Sequence, residues 1–103
     1  MIKVSVLYPN GSGARFDMDY YCLRHIPLVS QLCGSALKGA AVEKGLAGAT
    51  PGSPPSFLAM GHLVFDSVES FEASFGRHTS QIVADVTNYT NTQPIIQLSE
   101  IML

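Results

Sequence analysis

Charge is scarce in this chain. Only 14% of its 103 residues are Asp, Glu, Lys or Arg, against 47% hydrophobic residues, and the formal net charge is -2. A small monomer ordinarily covers itself with more charge than this, so some apolar surface is expected to meet a partner. The basic residues Lys3, Arg15, Arg24, Lys38, Lys44 and Arg77 stand singly. They form no stripe that could neutralise a run of phosphates, which argues against nucleic acid as a ligand.

Other absences narrow the field further. No apolar run approaches the roughly 18 residues that cross a bilayer. Met1-Ile2-Lys3-Val4-Ser5-Val6 enters an alternating pattern without a basic start or a small-residue cleavage site, so export is not expected and the expected location is the cytoplasm. Cysteine is limited to Cys22 and Cys33, too few for a disulfide framework; both read as reduced thiols. His25, His62 and His78 include no pair one helical turn apart, the spacing that would suggest a metal site. Gly11-Ser12-Gly13 lacks the lysine and further glycines of a phosphate-cradling loop. Neither metal nor other cofactor is expected.

What is present is a regular alternation of pattern. Ile2, Val4, Val6 and Tyr8 have the period of two of a strand with one buried face. After the turn cluster Pro9 to Gly13, Asp17 is placed to cap a helix through Met18, Tyr21, Cys22 and His25. Pro27 predicts a kink or restart, and Gly34 predicts the end of the restarted segment. A second strand is expected over about Ala36 to Leu46, with Gly39 and Gly45 at bulges or bends. The stretch from Ala47 to Pro55, dense in glycine and proline, reads as a surface loop or lid.

Phe57 to Phe65 is a strand apolar on both faces. Asp66-Ser67-Val68-Glu69 has the spacing of a capping box. The helix it opens carries Val68, Phe71 and Phe75 on one stripe, breaks at Gly76, and resumes from about Arg77 to Val86 with Ile82, Val83 and Val86 inward. Asn88 to Gln93 is a polar turn, and Pro94 to Ile101 a last strand apolar on both faces. The order fits an α+β, ferredoxin-like split β-α-β repeat in one domain, 1–103, with a four-stranded antiparallel sheet. Helices cover one face only; the simplest cover for the other is the sheet of a second subunit, giving a homodimer built as a dimeric α/β barrel.

Phe16-Asp17-Met18-Asp19-Tyr20-Tyr21, then His25, Pro27-Leu28-Val29, Gly45-Leu46-Ala47-Gly48, Gly61-His62-Leu63-Val64-Phe65-Asp66-Ser67, Ala84-Asp85-Val86, Asn88-Tyr89 and Ile96-Gln97 before Ser99-Glu100-Ile101 resemble the EthD family along essentially the whole chain. The resemblance implies the dimeric α/β-barrel fold and, for some relatives, a link to bacterial ethyl tert-butyl ether degradation alongside a cytochrome system. It implies an architecture more than a chemical step.

His25 is the leading candidate for chemistry, since an imidazole at a helix kink can move protons near neutral pH without a metal; the resemblance places it at the family's helix-one histidine. The plainer reading is a ring that bonds backbone groups freed by Pro27. Tyr21 lies one turn before His25, while Tyr20 faces elsewhere on the helix, so at most one of the two is expected beside His25. Tyr8, at the end of the first strand, is a further binding candidate, and packing is the plainer role for all three tyrosines. Asp85 and Asn88 could orient a substrate oxygen or cap the helix end. His62 points to the helix layer or to the dimer interface according to register.

Three functions fit these residues. One is an enzyme of unfixed reaction that binds a small, largely apolar organic molecule between helices and sheet, with His25 moving a proton in an isomerisation, dehydration or cyclisation. The second is an accessory, carrier or sensor protein for a degradation pathway, without chemistry of its own. The third is a structural oligomer whose apolar surplus serves only its interface.

Overall fold

The computed structural model describes all 103 residues. The chain runs β1 (Ile2–Pro9), α1 (Met18–Tyr20), a π turn (Tyr21–His25), α2 (Ile26–Cys33), β2 (Gly39–Lys44), β3 (Phe57–Phe65), α3 (Val68–Ser74), α4 (Thr79–Asp85) and β4 (Ile95–Glu100). The four strands form one antiparallel sheet in the order β2-β3-β1-β4. This is the ferredoxin-like α+β arrangement expected from the alternation of patterns.

Local signals act where the sequence places them, with shifts that have physical causes. Asp17 caps the first helix by accepting the Tyr20 N–H. Pro27 breaks nothing: the helix widens into the π turn, in which the Ile26 N–H reaches the Tyr21 carbonyl, and Pro27 falls in the first turn of α2, where a missing N–H is harmless. β2 is shorter than expected. A tight 3-10 turn at Gly34–Ala36, entered through Gly34 at φ 59, takes up its start. At its other end Gly45 passes so close to the Phe57 carbonyl that a Cβ would collide with it.

The second helix is capped one residue later than the box predicts. Ser67 accepts the Ser70 N–H, while Asp66 stands 3.9 Å from Lys38 in an exposed pair of little energetic weight. Gly76 interrupts the helix in a 3-10 turn, Gly76–His78. Of the stripe, Phe71 and Phe75 pack on the core. Val68 and Val83 do not follow: they are 38% and 58% exposed, beside clefts that open along the β4 edge.

The core lies between helices and sheet in two adjoining parts. One joins Val4, Leu63 and Phe65 of the sheet to Val29, Cys33 and Ile82 of the helices. The other is aromatic and gathers Tyr8, Tyr21 and Tyr89 over Ala59. Each fully buried side chain of this size contributes about 1.5–3 kcal/mol. Yet only 13 of 103 residues are buried, so one chain leaves much apolar surface uncovered.

That surface follows from the pleat. Ile2, Val4, Val6 and Tyr8 face the helices, as do Ala59, Gly61, Leu63 and Phe65. Alternation therefore sends Lys3, Ser5, Leu7, Leu58, Met60, His62 and Val64 to the opposite face, which no helix covers. β4 is an edge strand, and Ile95, Ile96 and Leu98 are 53%, 54% and 39% exposed. No helix is long and apolar enough to cross a membrane.

Candidate functional site

The π turn builds the site. It brings Tyr21 and His25 into a stack with ring centroids 5.4 Å apart and planes 14° apart; such wide turns are frequent at functional positions. Gly61 makes room beneath them, since a Cβ there would overlap the Tyr21 hydroxyl. Both rings are buried, with His25 only 4% exposed.

Asp85, the last residue of α4, meets His25 from the other helix. Its Oδ2 accepts the Nδ1 hydrogen of His25 at 2.9 Å. Its Oδ1 accepts from the Tyr20 hydroxyl at 2.7 Å and from the Asn88 amide at 2.9 Å. With Nδ1 donating, the neutral ring presents Nε2 as an acceptor. Tyr89 supplies the donor, its hydroxyl lying 3.3 Å from Nε2. The Tyr8 hydroxyl in turn donates to the Tyr89 oxygen at 2.7 Å. A continuous chain runs from Tyr20 and Asn88 at the surface through Asp85, His25 and Tyr89 to Tyr8 in the interior.

Charge is distributed unevenly along it. Burial pushes the His25 imidazole below its ordinary value, and the opposing pull of Asp85 does not cancel the effect. Burial alone would raise the Asp85 carboxyl, but donation from Tyr20, His25 and Asn88 outweighs it and holds the group below the usual carboxylate range. Asp85 is thus an anion beside a neutral imidazole. Tyr20 is pushed up mainly because its O–H donates to Asp85. Burial pushes Tyr8, Tyr21 and Tyr89 well up, so all three remain protonated donors. An imidazole fixed in one tautomer by a carboxylate, with its free nitrogen in a line of hydroxyls, can accept a proton and return it.

The structure joins His25, Tyr21, Asp85, Tyr8, Tyr20 and Asn88 in one cluster. Tyr21 stacks on His25, while Tyr20 does not touch His25 and joins the cluster through Asp85. Tyr89 is the member that sequence reasoning missed. It follows the 3-10 turn Val86–Asn88, in a segment read as a polar turn; the signal was an aromatic beside the flagged Asn88. A cleft of about 230 Å³ lined by Arg15, Phe16, Asp17, Asn88 and Tyr89 meets the cluster at Asn88 and Tyr89.

His62 lies apart, on the uncovered sheet face. Its Nδ1 is 2.9 Å from the Ser5 hydroxyl and its Nε2 is 3.0 Å from Glu43 Oε1. Its place on the strand opposite to the pleat of Gly61 keeps it out of the His25 cluster.

Comparison with known proteins agrees with this architecture. Residues 11–93 match the family model of the EthD domain. An uncharacterised 11.0 kDa protein of the thcB-thcC intergenic region of Rhodococcus erythropolis is 32% identical over 93 residues, 88% of this chain and 85% of its own. The crystal structure of an EthD-like protein from Ralstonia eutropha superposes with a TM-score of 0.94 at 48% identity, covering 99% of this chain and 92% of that one. That of an ethyl tert-butyl ether degradation (EthD) family protein from Bacillus halodurans shares the fold, with a TM-score of 0.74 at 20% identity and 99% of each chain covered.

Proposed function

The chain belongs to the EthD family, and from that premise we propose that it binds a small, largely apolar organic molecule and moves a proton on it with His25. The buried line Asp85–His25–Tyr89–Tyr8 carries this reading. Burying several polar groups is costly unless all are bonded, and here each is bonded into one chain that passes through a neutral imidazole. Asp85 holds the ring and balances the imidazolium that forms when Nε2 takes a proton. Tyr89, which borders the cleft, donates to an oxygen of the bound molecule. Isomerisation, dehydration and cyclisation each need such a transfer and no change of oxidation state. The apolar edge and face of the sheet support a homodimer, in a cytoplasmic setting.

The test is a fragment screen by ¹H–¹⁵N NMR against small ethers, ketones, lactones and alcohols, followed by turnover assays on the binders. Binders that shift Tyr89 and His25 resonances, with turnover lost in His25→Ala and fold retained, support the reading. Saturable binding at the same residues without product supports the carrier or sensor alternative. That alternative is favoured by one observation: the cleft meets the cluster at Asn88 and Tyr89 rather than at His25 itself.

A further inference from the structure

Residues 15–17 run antiparallel to residues 89–91 through the Phe16–Thr90 bridge, and the Asp17 N–H donates to the Tyr89 carbonyl at 2.7 Å. Two side chains add to the backbone pairing, both at Arg15. The buried Thr90 hydroxyl donates to the Arg15 carbonyl at 2.7 Å, and Asn91 Oδ1 accepts the Arg15 N–H at 2.9 Å. Asn91 Nδ2 donates in turn to the Gly13 carbonyl at 3.0 Å. Arg15 is thus pinned by both of its backbone polar groups, outside any regular strand or helix.

The pinning sets Arg15 on the wall of the 230 Å³ cleft that reaches Asn88 and Tyr89. Most of the other polar groups there are already engaged. Asp17 Oδ1 accepts the Tyr20 N–H, and the Asn88 amide donates to Asp85 and to the Tyr20 oxygen. The Arg15 guanidinium enters none of the ion pairs of the chain, although Asp17 lines the same cleft. Phe16 and Tyr89 supply aromatic walls, packed edge to face with ring centroids 5.3 Å apart. The cleft therefore offers an entering molecule an unpaired cation beside apolar rings.

We propose that Arg15 holds a carboxylate of the molecule bound at this site, so that the ligand class is a short organic acid with an apolar body. The inference rests on the reading of the site given above and adds to it the ligand's polar end. A guanidinium meets a carboxylate through two parallel N–H···O bonds, which fix orientation as well as position. Holding the Arg15 backbone in advance lowers the ordering cost of that contact. The cleft is smaller than the roughly 300–1,000 Å³ of sites for drug-sized ligands, which suits a short acid. With its carboxylate on Arg15, the body of the acid lies along Phe16 toward Tyr89, whose hydroxyl is bonded to His25 Nε2.

Titration of the full chain at pH 7 with pentanoate and, separately, with 1-pentanol tests this, followed by ¹H–¹⁵N NMR at the Arg15 Nε–H, the Asn88 side-chain amide and the Tyr89 backbone amide. Pentanoate is expected to move all three signals and to bind about tenfold or more tighter than pentanol. The Arg15 side chain is exposed and its segment is held by backbone bonds, so Arg15→Gln keeps the fold and is expected to abolish the preference. Arg15→Lys, a point charge without the fork, keeps part of it. Equal binding of the two probes, or a preference that survives in Arg15→Gln, overturns the carboxylate contact and leaves the reading of the site intact, since pentanol still reports an apolar molecule at Tyr89. Inorganic phosphate that displaces pentanoate at equal concentration marks a general anion site and overturns the ligand class. Signals of Asn88 and Tyr89 that ignore both probes, and every member of the fragment screen, overturn the inference and the reading beneath it.

Discussion

Asp85 accepts the Nδ1 hydrogen of His25 at 2.9 Å, and this one contact decides which nitrogen of the ring is free. It also joins the ends of two helical segments of the one layer, since His25 ends the π turn and Asp85 ends α4.

The pair makes stability depend on pH. His25 has a folded-state value below its ordinary one, so at pH values just under about 6.5 the unfolded chain binds more protons than the folded one, and stability falls as pH drops through that point. Asp85 is also held low; its stabilisation is present above about 3.9 and is lost as pH falls through its folded-state value. Urea unfolding at intervals from pH 7.5 to 2 is expected to show two successive losses. His25→Gln removes the upper one and Asp85→Asn diminishes the lower. A His25→Gln curve parallel to wild type between pH 7 and 5 contradicts the assignment.

Tyr89 is bonded on both sides, to Tyr8 and to His25. Tyr89→Phe leaves two buried groups without a partner and should cost about 1–3 kcal/mol. Tyr8→Phe removes one bond of the same line. The double variant is expected to lose less than the sum of the singles, by about 0.5 kcal/mol or more. Additive losses in a double-mutant cycle show that the hydroxyls do not act as one chain.

Gly61→Ala sets a methyl group against the Tyr21 hydroxyl. The ring must shift, and with it the stacked His25, at a cost of about 1–3 kcal/mol. Near-ultraviolet circular dichroism should change with the loss of stability. Unaltered spectra and stability indicate that the ring is not seated on the sheet at this point.

Much of the fold was legible because it rests on local rules. Alternation places Val4 and Tyr8 inside, Asp17 caps its helix, and Gly76 breaks the next. The site was half legible. His25 and Tyr21 are one turn apart and share a helix, so spacing pairs them. Asp85 was visible as a carboxylate near a helix end, but its partner Tyr20 is 65 residues away, and no local pattern encodes that distance. Tyr20 and Tyr21 have different neighbours, and Tyr20 enters the cluster only because Asp85 of another helix meets it. Tyr89 was hidden because turn composition describes backbone preference and says nothing of where a side chain lies. Val68 and Val83 misled for a related reason: a periodic stripe identifies an apolar face, and part of that face here remains uncovered.

The most direct measurement is long-range ¹H–¹⁵N NMR of the His25 ring across a pH titration, repeated with a ligand found in the fragment screen. The expected result is a neutral ring protonated at Nδ1 at pH 7, persisting below the ordinary histidine range, with the Nε2 resonance moving when ligand binds. A ring protonated at Nε2, or charged at pH 7, or one whose nitrogens ignore every ligand the protein binds, contradicts a proton-transfer role for His25.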